Sequence, residues 1–327
     1  MRLTAWVLLV TLLPAAALGS SDSDWEQHFS NGEGLEQEGR HAAAGREFEA
    51  ALSVAEQLGP DDWRLPVTLH NLGTIARELG RYSESERYYQ RAVSIWETRH
   101  PQRLTELAGT LQNLGALNMV WGRFSRAETF YRRAYELRVG ALGPEHPDVG
   151  ASLHGLAELA MFQHHYPRAE ELYPRAAKIL EVAYGADSLR IADVWHNWGF
   201  LYSQMRRDSD ARSLLDRAAA LYDKNVPGHP NMAVILVNLA ELDMRAGDLS
   251  QARIRLEHAV RICERSLPPD HEQTGIILEA YGRFLNLTKQ KKEAKTMMEK
   301  SRAILAKGTK ETGAAYIIDT SAFVRQR

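Results

Sequence analysis

A short block of apolar and polar residues recurs along the chain at an almost constant interval. It first reads LHNLG at residues 69–73, and the later copies read LQNLG, LHGLA, WHNWG, LVNLA and LEAYG, beginning at positions 111, 153, 195, 236 and 278. The starts are therefore 42, 42, 42, 41 and 42 residues apart. A fixed period between about 20 and 50 residues is typical of proteins built from stacked repeats. The pattern predicts six copies of one structural unit.

Three further columns keep their character in all six copies. The first, of small residues, is Ser85, Ala127, Ala169, Ala211, Ala252 and Ala294. The second, of large apolar residues, is Tyr89, Tyr131, Tyr173, Leu215, Leu256 and Met298. The third is again small: Ala92, Ala134, Ala176, Ala218, Ala259 and Ser301. Because closely packed helices need small side chains at their contact, we expect Gly73 and Ser85 to lie where two helices cross.

Each copy is interpreted as two helices joined by a short turn. Leu69, Leu72 and Ala76 have the i, i+3, i+7 spacing of one buried helical stripe. The glycine that follows suits a helix end, since it takes a positive φ at no steric cost. These breaks are Gly80-Arg81-Tyr82, Gly122-Arg123-Phe124 and Gly247-Asp248-Leu249, with His164-His165 and Arg206-Arg207-Asp208 in their place in two copies.

The second helices have their own start signals. We expect Ser83, Ser125 and Ser250 to cap their free amides. Pro167 takes the equivalent position in one copy, where a first-turn proline is tolerated. Pro174 falls inside a second helix, where the lost hydrogen bond predicts a local bend.

A divergent seventh copy precedes the other six. Gly39-Arg40-His41 aligns with the glycine break and Ala51-Leu52 with Ala92-Val93, whereas the first helix, at about 24–38, is a weak helix former. The predicted fold is all-α, a solenoid of about seven helix pairs over residues 20–307. The predicted units lie near 24–65, 66–107, 108–149, 150–191, 192–232, 233–274 and 275–307.

The two chain ends fall outside this period. Residues 1–19 combine Arg2, an apolar run and small residues before Ser20, which is the order of a secretory signal peptide. Export to the periplasm or the medium is expected, and an uncleaved membrane anchor is the alternative. The tail, 308–327, contains apolar side chains that either cover the end of the last helix pair or enter a groove as a bound peptide.

Composition narrows the classes of function. The net charge of −2 gives no cationic surplus for binding nucleic acid. Cys263 is the single cysteine, so neither an intrachain disulfide nor a cysteine-based metal site is possible, and we expect it to be buried. The sequence contains no zinc-protease, nucleotide-binding or nucleophile-elbow motif. We therefore expect no catalytic residue, no cofactor and no metal, and an enzyme is the weakest of the hypotheses.

The four columns resemble the tetratricopeptide repeat (TPR). The 42-residue length and joints such as LGPEHPDVG (142–150) and VPGHPNMA (226–233) are similar to the kinesin-light-chain-type subgroup. The resemblance extends over residues 34–307 and implies a right-handed α-solenoid whose first helices line a concave groove for peptides or proteins. The coiled-coil segment of kinesin light chains is absent, so the resemblance implies a fold and a binding mode rather than attachment to a motor.

The resemblance also assigns groove positions on the first helices. The column expected to point into the groove is Asn71, Asn113, Gly155, Asn197, Asn238 and Ala280. Its neighbouring columns are His70, Gln112, His154, His196, Val237 and Glu279, then Thr74, Ala116, Glu158, Phe200, Glu241 and Arg283, then Arg77, Met119, Met161, Ser203, Met244 and Asn286. Asparagine amides can pair with any extended backbone, and methionine adapts to irregular partners. A partly apolar, partly polar peptide or protein is therefore the expected partner.

Each column has an alternative interpretation. The asparagines could instead cap or bridge neighbouring helices. The histidines of successive repeats are expected to be too far apart for one metal, because packed helix axes lie about 8–10 Å apart and zinc–nitrogen bonds are about 2 Å. A basic column, Arg91, Arg133, Arg175, Arg217, His258 and Lys300, is either a ligand stripe or a solvated face near helix C-termini.

Two hypotheses about function remain. The first is a monomeric, non-catalytic scaffold that binds a peptide or protein in the concave groove outside the cytoplasm. The second is a structural subunit of an envelope or secretion assembly that uses its ends and convex face.

Overall fold

The computed structural model describes residues 15–308, and every regular element in that range is a helix. The predicted signal peptide lies largely outside these residues, as does nearly all of the predicted tail. The fourteen helices form seven consecutive pairs, which confirms the predicted fold class. None of the described helices is long and apolar enough to cross a membrane.

The chain divides after Gln102 into two compact parts, here called the N-terminal part and the C-terminal part. The helices of the N-terminal part are α1 Ala15–Gln37, α2 His41–Leu58, α3 Arg64–Glu78 and α4 Tyr82–Arg99. Those of the C-terminal part are α5 Leu104–Val120, α6 Phe124–Leu142, α7 Pro147–Phe162, α8 Tyr166–Tyr184, α9 Leu189–Gln204, α10 Asp208–Asn225, α11 Pro230–Ala246, α12 Leu249–Ser266, α13 Glu272–Leu287 and α14 Lys291–Gly308. Odd-numbered helices are the first helices of their repeats, and even-numbered helices are the second.

The turn inside every pair contains one residue with left-handed backbone geometry. These residues are Gly39, Gly80, Gly122, His164, Arg206, Gly247 and Lys289. At Gly80 the turn is closed by two backbone bonds, from Gly80 N to Arg77 O at 3.0 Å and from Arg81 N to Ala76 O at 2.8 Å. The same pair of bonds recurs at the other six turns, which makes each a Schellman motif. The glycine breaks are confirmed, and three larger residues adopt the same geometry.

The predicted serine caps are wrong. The helices α4, α6 and α12 begin one residue before Ser83, Ser125 and Ser250, so these serines lie inside the first turn. The reason is that the Schellman turn is shorter than the sequence suggested, and the residue directly after the left-handed one becomes the N-cap. Of these caps, Asp248 accepts a side-chain hydrogen bond from Gln251 N at 3.0 Å.

First helices of the C-terminal part are capped mainly by histidine. The Nδ1 atoms of His146, His229 and His271 each accept a hydrogen bond at 3.2 Å from the amide two residues later. Pro167 lies in the first turn of α8, as predicted, and α8 continues through Pro174 from Tyr166 to Tyr184.

Glycine and a large side chain meet at the centre of most pairs. A Cβ on Gly73 would lie 2.7 Å from the Tyr89 ring, and Ser85 Oγ donates to Gly73 O at 2.7 Å. Equivalent close approaches occur at Gly115, Gly199 and Gly282. The predicted helix crossing at Gly73 and Ser85 is therefore confirmed.

The divergent first repeat follows the same rule. A Cβ on Gly32 would lie 2.7 Å from the Phe48 ring, so Gly32 has the place that Gly73 has in the next repeat. Trp25 is buried beside it, stacks on Phe29 at 4.6 Å and donates from Nε1 to Thr68 Oγ1 at 2.9 Å. The helix that the sequence suggested was weak is held by these aromatic contacts.

Candidate partner-binding surface

First helices lie on the inner side of the stack in the C-terminal part. Each of α5, α7, α9 and α11 contacts the next first helix in the series, whereas the second helices make no comparable contact with one another. Stacked pairs that curve bring the helices on the inner side closest together. The inner surface is defined here by Gln112, Asn113, His154, Glu158, His196, Asn197, Phe200, Asn238, Glu241, Met244 and Arg283.

Two of the four asparagines in the predicted column connect neighbouring repeats. Asn197 Nδ2 lies 3.0 Å from His154 Nε2, and Asn238 Nδ2 lies 2.9 Å from His196 Nε2. These amide–imidazole bridges join α7 to α9 and α9 to α11. The bridging interpretation of the asparagine column is therefore realised at both positions, and Asn113 is half-buried on α5.

The bridges fix the chemistry of the histidines. Burial lowers the pKa of His154 and of His196 to about 4, so both rings are neutral near pH 7. Because each Nε2 accepts a hydrogen bond from an asparagine amide, the ring proton is assigned to Nδ1. A hydrogen bond between two neutral groups stabilises the helix spacing without burying a charge.

A third contact between repeats comes from a second helix. Arg138, on α6, is buried and donates to Ser152 Oγ at 2.7 Å, to Asp148 O at 3.1 Å and to the side-chain carbonyl of Gln112. Gln112 also donates to Ala151 O at 3.3 Å. The sequence analysis missed Arg138, because its spacing from Gln112 carries no repeat signal.

Glu158, Phe200 and Glu241 occupy one column on three successive first helices. Phe200 is half-buried and packs against the core. Glu241 is only 4% exposed. Burial raises the pKa of its carboxyl to about 7, although Arg283 and Arg245 oppose the shift. Arg245 is itself held by Asp208 at 2.8 Å and Ser203 at 2.7 Å.

The methionines of the predicted groove differ in accessibility. Met119 and Met161 belong to the hydrophobic core, 4% and 5% exposed, and Tyr173 donates its hydroxyl to Met161 Sδ at 3.8 Å. Met244 is half-buried and remains available on the inner surface. The apolar part of this surface therefore comes from Phe200 and Met244.

Three predicted site residues lie in the N-terminal part. The His70 ring meets Tyr89 edge-on, with centroids 5.7 Å apart, and burial lowers the pKa of His70 to about 4. Asn71 is half-buried on the same helix, and Arg77 donates to Glu78 at 2.6 Å. They form the equivalent face of α3.

The basic column of the second helices has mixed surroundings. Arg91 pairs with Glu56 at 2.8 Å, and the Arg217 guanidinium stacks on Trp195 at 3.7 Å. Arg175 and His258 are exposed. Cys263 is buried as predicted, and its burial raises the thiol pKa to about 11. Over residues 15–308, no group of three or more His, Cys, Asp or Glu side chains is placed to hold a metal ion.

A family model for the tetratricopeptide repeat matches residues 28–98, 106–181, 156–224 and 231–307. The chain belongs to the tetratricopeptide-repeat family. Comparison with curated protein sequences gives no match.

Several solved structures share the fold of this TPR protein. BtubC (BKLC) from P. vanneervenii is 21% identical over 73% of this chain and 90% of its own, with a TM-score of 0.54. A structure of nearly identical TPR-like repeats of a Podosopora anserina kinesin light chain is 24% identical over 64% of this chain and 97% of its own, with a TM-score of 0.50. The Rap protein complexed with competence and sporulation factor is 13% identical over 88% and 76%, with a TM-score of 0.68. At these identities the likeness concerns the fold.

Proposed function

We propose that this TPR protein is a non-catalytic scaffold that binds a peptide or protein partner on the inner surface of the C-terminal part. The TPR fold is typical of protein–protein interaction scaffolds. The proposal also places the protein outside the cytoplasm, on the strength of the signal-like order of residues 1–19.

The observation that carries the proposal is the position of Phe200. Its half-buried ring lies on the middle first helix of the C-terminal part, with Glu158 one repeat before it and Glu241 one repeat after it. A central aromatic side chain surrounded by polar groups has the composition of a binding hot spot. The inner side of the curved stack gives a partner contacts from several repeats at once.

The bridges prepare this surface for binding. His154–Asn197 and His196–Asn238 hold α7, α9 and α11 at fixed spacing before any partner arrives. A surface that is already ordered loses less entropy on association.

The first test is capture of a partner by the chain lacking residues 1–19. Wild type, Phe200→Ala and the outer control Val182→Ala are used as bait on envelope and secreted extracts, after circular dichroism shows equal helix content. Val182 is suited to the control because it lies on α8 and is 81% exposed. We expect a partner retained by wild type and V182A and weakened at least about tenfold by F200A, the cost of removing a buried aromatic anchor.

A partner retained equally by F200A would contradict the inner-surface site. We prefer F200A to a variant that removes asparagines, because Asn197 and Asn238 hold repeats together. Loss of binding in an asparagine variant would therefore mix altered packing with altered recognition.

The second candidate function is a structural subunit that uses its outer face. The observation in its favour is that Val182 and Ile254, on the second helices α8 and α12, are 81% and 59% exposed. Light scattering of wild type and of Val182→Ser/Ile254→Ser separates the two functions. An ordered oligomer that dissociates in the double variant supports the assembly, and a monomer in both supports the scaffold.

A further inference from the structure

A cleft of about 390 Å³ lies in the C-terminal part, away from the inner surface. One wall is formed by Asp223 at the end of α10 and by Pro227 and Gly228 in the loop that follows. The opposite wall is the C-terminal half of α12. A volume of this size falls within the range of about 300–1,000 Å³ that ligand pockets occupy.

The walls of the cleft are held in place. Ser266 Oγ, at the end of α12, donates to Gly228 O at 2.8 Å and so ties the loop to the helix. Gly228 has a φ of +81°, a geometry that favours glycine. His229 then caps α11, with its Nδ1 accepting from Asn231 N. The cleft is therefore a fixed feature of this repeat.

Two arginines of the α12 wall carry its positive charge and are unpaired among the described residues. His258, Arg261 and Arg265 follow the i, i+3, i+7 spacing, so they share one face of the helix, and all three line the cleft. Within the described residues neither guanidinium contacts a carboxylate, whereas Arg255 on the same helix binds Asp243 at 2.8 Å. Asp223 also lines the cleft and makes no ion pair with the described residues of this part of the chain.

The combination of two arginines at these positions does not belong to the repeat pattern. The positions of Arg261 and Arg265 hold Ala220 and Lys224 on α10, and Lys178 and Val182 on α8. A helix C-terminus favours a cation in its last turn, which accounts for Arg265. It does not account for Arg261, which lies one turn earlier and on the same wall.

The remaining lining identifies the kind of ligand. Met232 and Ile262 are apolar, mostly buried, and contribute to the lining together with Pro227. Among the described residues no Phe, Tyr or Trp lines the cleft and His258 supplies its one imidazole ring, whereas single-stranded nucleic acids are bound on several aromatic rings on which successive bases stack. Guanidinium groups beside apolar surface match carboxylates carried next to apolar side chains. We propose that this cleft is a second binding site, for an acidic and partly apolar segment of a partner protein.

Fluorescence anisotropy with the full chain tests this site directly. The probe is a labelled ten-residue peptide of alternating glutamate and leucine, and the control probe has lysine in place of glutamate. We expect saturable binding of the acidic peptide with Kd below about 1 mM and no binding of the basic one. Arg261→Gln/Arg265→Gln weakens binding at least about tenfold, because two charge-assisted contacts are lost.

The matched control is Arg175→Gln/Lys178→Gln, which removes the same charge from the exposed face of α8. We expect this control to change Kd by less than about twofold. Asp223→Asn should strengthen binding, because it removes a carboxylate that repels the acidic peptide. F200A leaves this binding unchanged, so failure here is separable from failure of the proposed function. Three outcomes would overturn the proposal. One is that wild type shows no saturable binding of the acidic peptide, and another is that both double variants lose binding equally. The third outcome is that a ten-nucleotide deoxythymidine strand binds more tightly than the peptide and that R261Q/R265Q abolishes this binding.

Discussion

Single residues decide the chemistry of the inner surface. The same column holds Glu158, Phe200 and Glu241, yet their surroundings differ, because only Glu241 is removed from water almost completely. A buried carboxyl without full compensation prefers its neutral form. The proton affinity of this one side chain therefore connects the stability of the fold to pH.

Glu241 should make unfolding depend on pH. Its pKa in the folded protein is about 7, above the ordinary value of 4.5 for glutamate, so the folded state binds the proton more tightly than the unfolded state. The contribution to stability is fully present below about pH 4.5 and is lost as pH rises through 7. Glutamine cannot ionise, so Glu241→Gln should gain stability relative to wild type as the pH rises. We expect the free energy of unfolding of the variant minus that of wild type to be about 2–3 kcal/mol larger at pH 8 than at pH 5.

Urea unfolding at the two pH values measures this difference. Glu264→Gln is the control, because it removes an exposed carboxyl from the same part of the chain. An E241Q effect of equal size at pH 5 and pH 8 would show that Glu241 is not the titrating group.

At the scale of the element, the turn between paired helices has the same geometry in all seven repeats of the described chain. All seven turns place one residue in the left-handed region, and the two closing hydrogen bonds are the same whether that residue is glycine or not. A residue other than glycine is destabilised in that region by about 1–2 kcal/mol, because its Cβ comes close to a backbone carbonyl oxygen. His164, Arg206 and Lys289 nevertheless adopt this geometry.

Arg206→Gly should stabilise the protein. Arg206 is exposed and has a φ of +61°, so glycine removes strain and loses no buried contact. Glycine also gains freedom in the unfolded chain, which leaves a net increase of about 0.5–1 kcal/mol in the free energy of unfolding. The same substitution in a helix interior, Arg175→Gly, is expected to cost about 1 kcal/mol. Denaturant titrations compare the two variants, and destabilisation by R206G would refute the strain argument.

At the scale of the whole molecule, stability depends on contacts between repeats. The stability of a stacked-repeat protein is approximately a sum over repeats and over the interfaces between neighbours. Hydrophobic packing contributes most to these interfaces, and the amide–imidazole bridges add direction to it. Loss of one bridge should therefore weaken one interface and leave the helix pairs intact.

A double-mutant cycle on His154 and Asn197 measures this contribution. Asn197→Ala leaves His154 Nε2 without its donor and is expected to cost about 1–3 kcal/mol. His154→Ala in the N197A background should cost less than in wild type, with a coupling energy of about 0.5–1.5 kcal/mol. Additive effects would show that the two side chains do not stabilise each other.

The sequence predicted what depends on neighbours close in the chain. Seven helix pairs, the turns with glycine and the crossing at Gly73 and Ser85 are encoded in each repeat, and repetition made them visible. It misplaced the serine caps by one residue, because a Schellman turn with an arginine cap leaves no distinctive sequence pattern. It also missed Gly32 as the crossing residue of the first pair, since the block around it has diverged.

Only the tertiary structure decided which side chains meet across repeats. Asn197 and His154 are 43 residues apart, Arg138 and Ser152 are 14 apart, and the cleft joins the end of α10 to α12. The sequence left the asparagines free either to bind a partner or to bridge helices, because both roles need the same amide. Local periodicity fixes which face of a helix is buried, but the distance between two polar atoms on different helices depends on how the helices pack. The burial that gives Glu241 its proton affinity arises from the same packing.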